Sequence, residues 1–187
     1  MSQPRQQRAD AVRNRTRIMA AARDQITLHG PDVGMGAIAA AAGVAVGTLY
    51  RNFPTKADLV NAVVNEYVQA MVDDVEATVA LVEAGAPVLA EIEGLTSRYV
   101  EMFAQNHAVK AAAAALGETD HGQLEERGLV AVDRLVTLAR EAGVFRPDAT
   151  TEDLVLLMNT APTDLPPAAR ARWLALFLAG LTAGTRG

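Results

Sequence analysis

The stretch Ala37–Leu59, AIAAAAGVAVGTLYRNFPTKADL, decides how this chain folds. Two short helix-forming runs flank Gly43. The first carries Ile38, Ala39 and Ala42, small apolar residues that let a second helix cross it closely. Gly43 accepts the positive φ of a tight turn, a conformation that a side chain resists. Val44 and Leu49 point back toward a core. The second run, from about Val46 to Asn52, then presents Val46, Gly47, Thr48, Tyr50, Arg51 and Asn52. Thr55 and Asp58 have the spacing of a capping box and open a further helix, with Lys56 beside its start. The spacing predicts a helix-turn-helix over about 35–52.

Upstream, Ile18, Ala22 and Ile26 mark one face of a helix running from about Ala9 to His29. Gly30 and Pro31 stop it. Met1 to Arg8 reads as a disordered basic arm. Downstream, Leu59, Val63, Tyr67, Met71, Val75 and Val79 fall at four-residue steps beside a parallel row of valines, which predicts one long helix. Five further helices follow, over about 87–106, 108–116, 123–142, 151–159 and 167–183, with Val144–Asp148 a turn. Thr150 and Asp153 have capping spacing. The fold expected is all-α with about nine helices: a three-helix head over 1–56 and a helical body over 57–187.

Composition agrees with helices. Half of the residues are hydrophobic and only 4% aromatic, and alanine supplies much of the apolar content. With no cysteine, disulfides, thiolate metal sites and cysteine nucleophiles are excluded. The longest apolar stretch, Leu174 to Ala183, is too short to span a bilayer, and no apolar signal segment follows the basic N-terminus. A soluble cytoplasmic protein is expected, without a membrane partner. The net charge of −5 is unevenly placed. Residues 1–56 hold eight Lys/Arg against three acidic residues, and the remainder holds nine against 19. A basic end on an acidic body suits a protein that offers that end to polyanionic DNA.

At Ile38, Ala39, Ala42, Gly43, Val44, Gly47, Thr48, Leu49, Tyr50, Phe53, Lys56 and Leu59 the chain resembles the TetR-type family of one-component transcriptional regulators. The resemblance implies a homodimer that binds double-stranded DNA and an unidentified small molecule. It places Val46, Gly47, Thr48, Tyr50, Arg51 and Asn52 in the major groove, and Arg17 and Lys56 against phosphates. Arg51 is the best base reader, because its fork can bond guanine O6 and N7. Four positions depart from the family pattern: Gly34 and Ala45 stand where capping hydroxyls are usual. Gly36 and Val46 replace residues that are often polar. Modest base readout is therefore expected, with more weight on phosphates and DNA shape.

For the body, the resemblance implies a ligand pocket, dimerisation through the last two helices, and a long fourth helix that transmits ligand binding to the head. Candidate pocket residues are Tyr67, Met71, Tyr99, Phe103, His107, Met158 and Asn159, with plain core as the competing role. Few aromatics favour a small or aliphatic ligand. Trp173, Phe177 and Leu181 are the candidate dimer contacts. No cofactor is implied. Glu118, Asp120 and His121 form a polar cluster without the spacing that pre-forms a metal site, so none is assigned. No phosphate loop, nucleophile elbow or paired-carboxylate motif is present, so no catalytic residue is assigned. The expected function is a ligand-responsive regulator, a repressor released from a pseudo-palindromic operator. The alternative is a ligand-binding or protein-interaction module whose head has lost specific DNA binding.

Overall fold

The computed structural model describes residues 3–116 and 122–182, with side chains from Asp10 onward. Eight helices run through these residues: α1 Gln3–His29, α2 Met35–Ala41, α3 Val46–Asn52, α4 Lys56–Glu83, α5 Val88–Leu116, α6 Gly122–Glu141, α7 Thr151–Thr160 and α8 Pro167–Leu181. The chain divides into two compact units, Met1–Tyr67 with Asn106–Asp120 and Val68–Gln105 with His121–Gly187. No helix among the described residues is long and apolar enough to cross a membrane.

Two expectations are corrected. Helix α1 begins at Gln3, so the segment up to Arg8 is not a disordered arm over its described part. The side chains of Arg5 and Arg8 lie outside the described residues. The two helices expected to part near His107 are one, α5. Asn106 and His107 are weak helix formers, but neither bars a helix as proline would. His107 is therefore an exposed residue within a helix and not a cap at its end. Glu118, Asp120 and His121 lie outside the described residues.

The first unit closes over Ile18, Ala22, Ile26, Ile38, Leu49, Phe53, Leu59, Val60 and Val63, all almost fully buried. The stripe expected on α1 is its core face. Val109 and Ala112 of α5 are buried in the same unit. At the start of α4, the Thr55 amide donates to Asp58 Oδ2 at 2.9 Å and the Asp58 amide to Thr55 Oγ1 at 3.0 Å, a complete capping box.

The second unit packs Val75, Ile92, Leu95, Tyr99, Val132, Leu135, Val136, Phe145, Leu154, Leu157, Leu174 and Leu178 into one core. Thr150 and Asp153 form the capping box expected at the start of α7. The 144–148 segment turns as expected, but with a fixed docking: Phe145 is buried, and the Arg146 amide donates to the Leu181 carbonyl at 2.9 Å. Ion pairs join α4 to its neighbours here. Arg98 grips both oxygens of Asp74 at 2.9 Å, and Arg127 reaches Glu76 at 2.8 Å. These pairs are solvent-exposed, so each contributes little more than orientation.

Leu49 is the buried residue of α3. Truncating it removes the helix's anchor. Leu49→Ala should lower the stability of the first unit by about 2–5 kcal/mol, read by urea unfolding monitored at α-helical wavelengths. A loss below about 1 kcal/mol would show that α3 is held chiefly by other contacts.

Candidate functional site

The most constrained local geometry in the first unit is the turn between α2 and α3. Helix α2 is preceded by Gly34, which has extended φ/ψ and offers no side-chain cap. It ends in two reversed main-chain bonds. The Gly43 amide donates to the Ala40 carbonyl at 3.0 Å, and the Val44 amide to the Ala39 carbonyl at 3.0 Å. This pair of bonds is the Schellman arrangement, which needs a left-handed residue between them. Gly43 supplies it with φ +62°. Helix α3 then starts at Ala45, also without a side-chain cap. Both missing caps read from the sequence are real features of the fold.

Helix α3 turns one side chain inward and several outward. Val46 is 47% exposed and Tyr50 48%, and Gly47 and Arg51 are exposed beside them. Thr48 and Asn52 are half-buried. The polar side chains bond within their own helix. Arg51 donates from Nε to the Gly47 carbonyl and from Nη2 to Thr48 Oγ1, both at 3.1 Å. Asn52 Nδ2 donates to the Thr48 carbonyl at 2.8 Å. The face is thus an ordered ridge with an apolar start and an aromatic and cationic end.

The two cations expected on phosphates are bonded to main-chain carbonyls. Arg17 Nη2 donates to the Ala42 carbonyl at 2.6 Å and to that of Gly43 at 3.1 Å. Lys56 Nζ donates to the Pro31 carbonyl, tying the start of α4 to the turn after α1. Two other arginines of α1 have side-chain partners in the same unit. The Arg15 guanidinium lies 4.4 Å above the ring centre of the buried Phe53, and Arg23 pairs with Glu66 at 2.9 Å. Sequence reading missed Arg15 and Arg23, because a basic run on an amphipathic helix reads only as surface charge. The phenylalanine just past α3 was the available signal for Arg15.

The second unit holds a cavity of about 380 Å³. Of the candidate pocket residues, Met71, Tyr99, Met158 and Asn159 line it, together with Gly128, Leu129 and Val132. Phe103 stands behind Tyr99, with ring centres 6.1 Å apart and nearly edge to face. Tyr67 and His107 belong to the first unit. The Tyr99 hydroxyl donates to the Met71 carbonyl at 2.9 Å, and burial pushes its pKa well above the usual phenol value. It therefore stays protonated and links α4 to α5 across the cavity wall. Among the described residues, the lining carries one carboxylate, Glu125, and no cation.

On α8 the candidate dimer contacts turn toward their own core. Trp173 and Phe177 are half-buried with ring centres 5.7 Å apart, and Leu181 is buried. The exposed side of α8 carries Arg172, Ala175, Leu176 and Ala179, and Leu176 is 56% exposed. Among the described residues, no group of three His, Asp or Glu side chains is placed to hold a metal.

Residues 18–63 match the bacterial regulatory proteins of the tetR family. Residues 95–183 match the C-terminal domain of SbtR-like transcriptional regulators. In structure the chain is similar to a TetR transcription regulatory protein from Mycobacterium vanbaalenii, at 29% identity and a TM-score of 0.72, over 94% of this chain and 99% of that one. It is similar to a TetR transcriptional regulator from Streptomyces coelicolor at 28% identity and a TM-score of 0.68, over 91% and 99%. It shares its fold with a γ-butyrolactone receptor described as ArpA-like, at 20% identity and a TM-score of 0.68, over 94% and 92%. No curated protein matches it in sequence. The matched segments take in the helix-turn-helix and most of the body, and the chain belongs to the TetR family of bacterial transcriptional regulators.

Proposed function

We propose that the protein binds a specific operator as a homodimer and is released from it by a small apolar ligand, acting as a cytoplasmic repressor. The observation that carries this reading is the exposed ridge of α3, held by one buried leucine above a closed turn. A ridge so built can enter a major groove without rearranging the unit behind it. Arg51 reads a guanine after leaving Thr48 and Gly47, whose bonds are exposed and easily exchanged. Val46 and Thr48 pack on thymine methyls, and Tyr50, Asn52 and Lys56 hold the backbone. Gly47 lets the ridge lie close to the duplex, for nothing crowds the place of its missing side chain. The DNA-contacting head is assigned to residues 1–56 and the ligand-binding, dimerising body to 57–187.

Dimerisation is assigned to α7 and α8. Leu156 and Leu176 are more than half exposed there, and the alanines beside Leu176 permit close helix approach. Trp173, Phe177 and Leu181 support that face from inside. The ligand is assigned to the cavity on α4, α5, α6 and α7, where Met71, Tyr99, Met158 and Asn159 stand. The similar fold of a γ-butyrolactone receptor is in keeping with a small, largely apolar ligand. The cavity wall contains α4 residues Val68 to Val75, and the same helix begins at Lys56. A ligand that prefers one arrangement of α4 shifts DNA affinity by that preference and no more.

Selection of duplexes from a random pool by the full-length protein tests the DNA reading. The expected product is a pseudo-palindrome with half-site centres about one helical turn apart. Arg51→Ala should weaken binding to it by about 1–3 kcal/mol and relax one base pair in each half-site. Enrichment of a lone half-site would contradict the paired heads. An unenriched pool would favour a body whose head has lost specificity. For the ligand reading, 1-decanol serves as a slender apolar probe. It should raise the melting temperature of the native protein and lower its operator affinity, and Gly128→Leu, which fills the cavity beside Val72, should abolish both effects. Equal responses in the two proteins would place the probe elsewhere.

A further inference from the structure

Helix α2 ends with two carbonyls, Ala42 and Gly43, that the reversed amides of the turn do not take. Gly43 and Val44 donate to Ala40 and Ala39. The first amides of α3 that turn back, those of Thr48 and Leu49, donate to Ala45. A helix C-terminus carries partial negative charge, and its outer carbonyls need donors from outside the helix. Arg17, 25 residues upstream of Ala42, brings a single guanidinium nitrogen to both. The fit is close. A Cβ on Gly43 would stand 2.7 Å from that nitrogen, and the backbone there is already left-handed. The left-handed φ excludes a side chain at Gly43, and a Cβ there would displace the guanidinium of Arg17 from its seat.

We infer that Arg17 is a positioning residue, which fixes the angle of the recognition helix by capping the turn from α1, and not a phosphate ligand. Arg17 stays exposed, but its guanidinium is directed back onto the turn. A charged donor on a carbonyl is among the stronger hydrogen bonds available, and this one spans the two helices whose relative placement sets the ridge of α3. Arg15 lies on the ring of Phe53, the residue that ends α3, so α1 contacts both the turn before that helix and the residue after it. The inference concerns the geometry of the first unit, and half of its test is independent of the DNA reading.

The test uses the full-length protein with Arg17→Gln and Arg17→Lys. Without DNA, amide hydrogen exchange is read at Val44, Leu49 and Phe53, whose amides close the turn and α3. Positioning predicts exchange about tenfold faster in Arg17→Gln, with the amides of α6 unchanged. Unchanged exchange at those three amides would overturn the inference whether or not the protein binds DNA. On the selected operator and a scrambled duplex, over a salt series, Arg17→Gln should lose about tenfold in specific affinity. Its nonspecific affinity and salt slope should stay native. A phosphate ligand would behave otherwise. Its loss would lower the slope by about one and weaken both duplexes together, and Arg17→Lys would restore both. That pattern would overturn the inference. Should Arg17→Gln fail to fold, Arg17→Lys decides alone. It keeps the charge but its shorter side chain ends before the place where Arg17 Nη2 reaches both carbonyls, and native affinity with native exchange would contradict positioning.

Discussion

A seven-residue helix cannot persist in water on its own, because its nucleation cost exceeds what so few hydrogen bonds return. Helix α3 is such a helix, it has no side-chain cap at its start, and only Leu49 is buried along it. Everything that gives α3 a fixed place must therefore come from outside it. The first unit supplies this in three ways. Small residues at Ala39 and Ala42 bring α2 close, the Schellman turn at Gly43 fixes the chain direction, and α1 reaches over with Arg15 and Arg17. The cost of leaving the outer face of α3 free for a partner is met by those contacts on its inner face.

The second unit is built on a different balance. Its core is continuous and apolar, and its helices are long enough to be stabilised by burial along their length. It contains a cavity of about 380 Å³, and polar contacts orient the helices of this unit. Tyr99 holds α5 to α4 through the Met71 carbonyl, and Arg127 and Arg134 hold α6 to α4 through Glu76 and Glu83. Arg170 adds a pair with Glu101, which keeps that carboxyl below its usual pKa, and joins α8 to α5.

The helix-turn-helix was legible because its signals are local: a glycine between two short apolar runs, and a capping pair three residues apart. The stops at Gly30 and Gly143, the missing caps at Gly34 and Ala45, and the Thr150–Asp153 box were legible for the same reason. The helix break near His107 was misread, since weak propensity at Asn106 and His107 is overridden once Val100, Val109 and Ala112 are buried on the same helix. The bonds of Arg17 and Lys56 each span 25 residues, and no local pattern encodes such a pairing. Candidate pocket residues were named by residue type along apolar faces, and such faces also line plain core. Thus four of them meet at one cavity while Tyr67 and His107 fall in the other unit. On α8 the large apolar residues drew attention, yet they are the ones its own core takes, and the outer face is left to Leu176 and alanine.

The exposed ridge of α3 is proposed to read DNA sequence. The most direct measurement is fluorescence anisotropy of the full-length protein on the DNA flanking its own gene and on a scrambled duplex of equal length, across a salt series. Sequence reading by α3 requires binding to the flanking DNA at least about a thousandfold tighter than to the scrambled duplex at physiological salt. Equal, weak and steeply salt-dependent binding to both would contradict it for that DNA, and would show a head that responds there to phosphate charge alone.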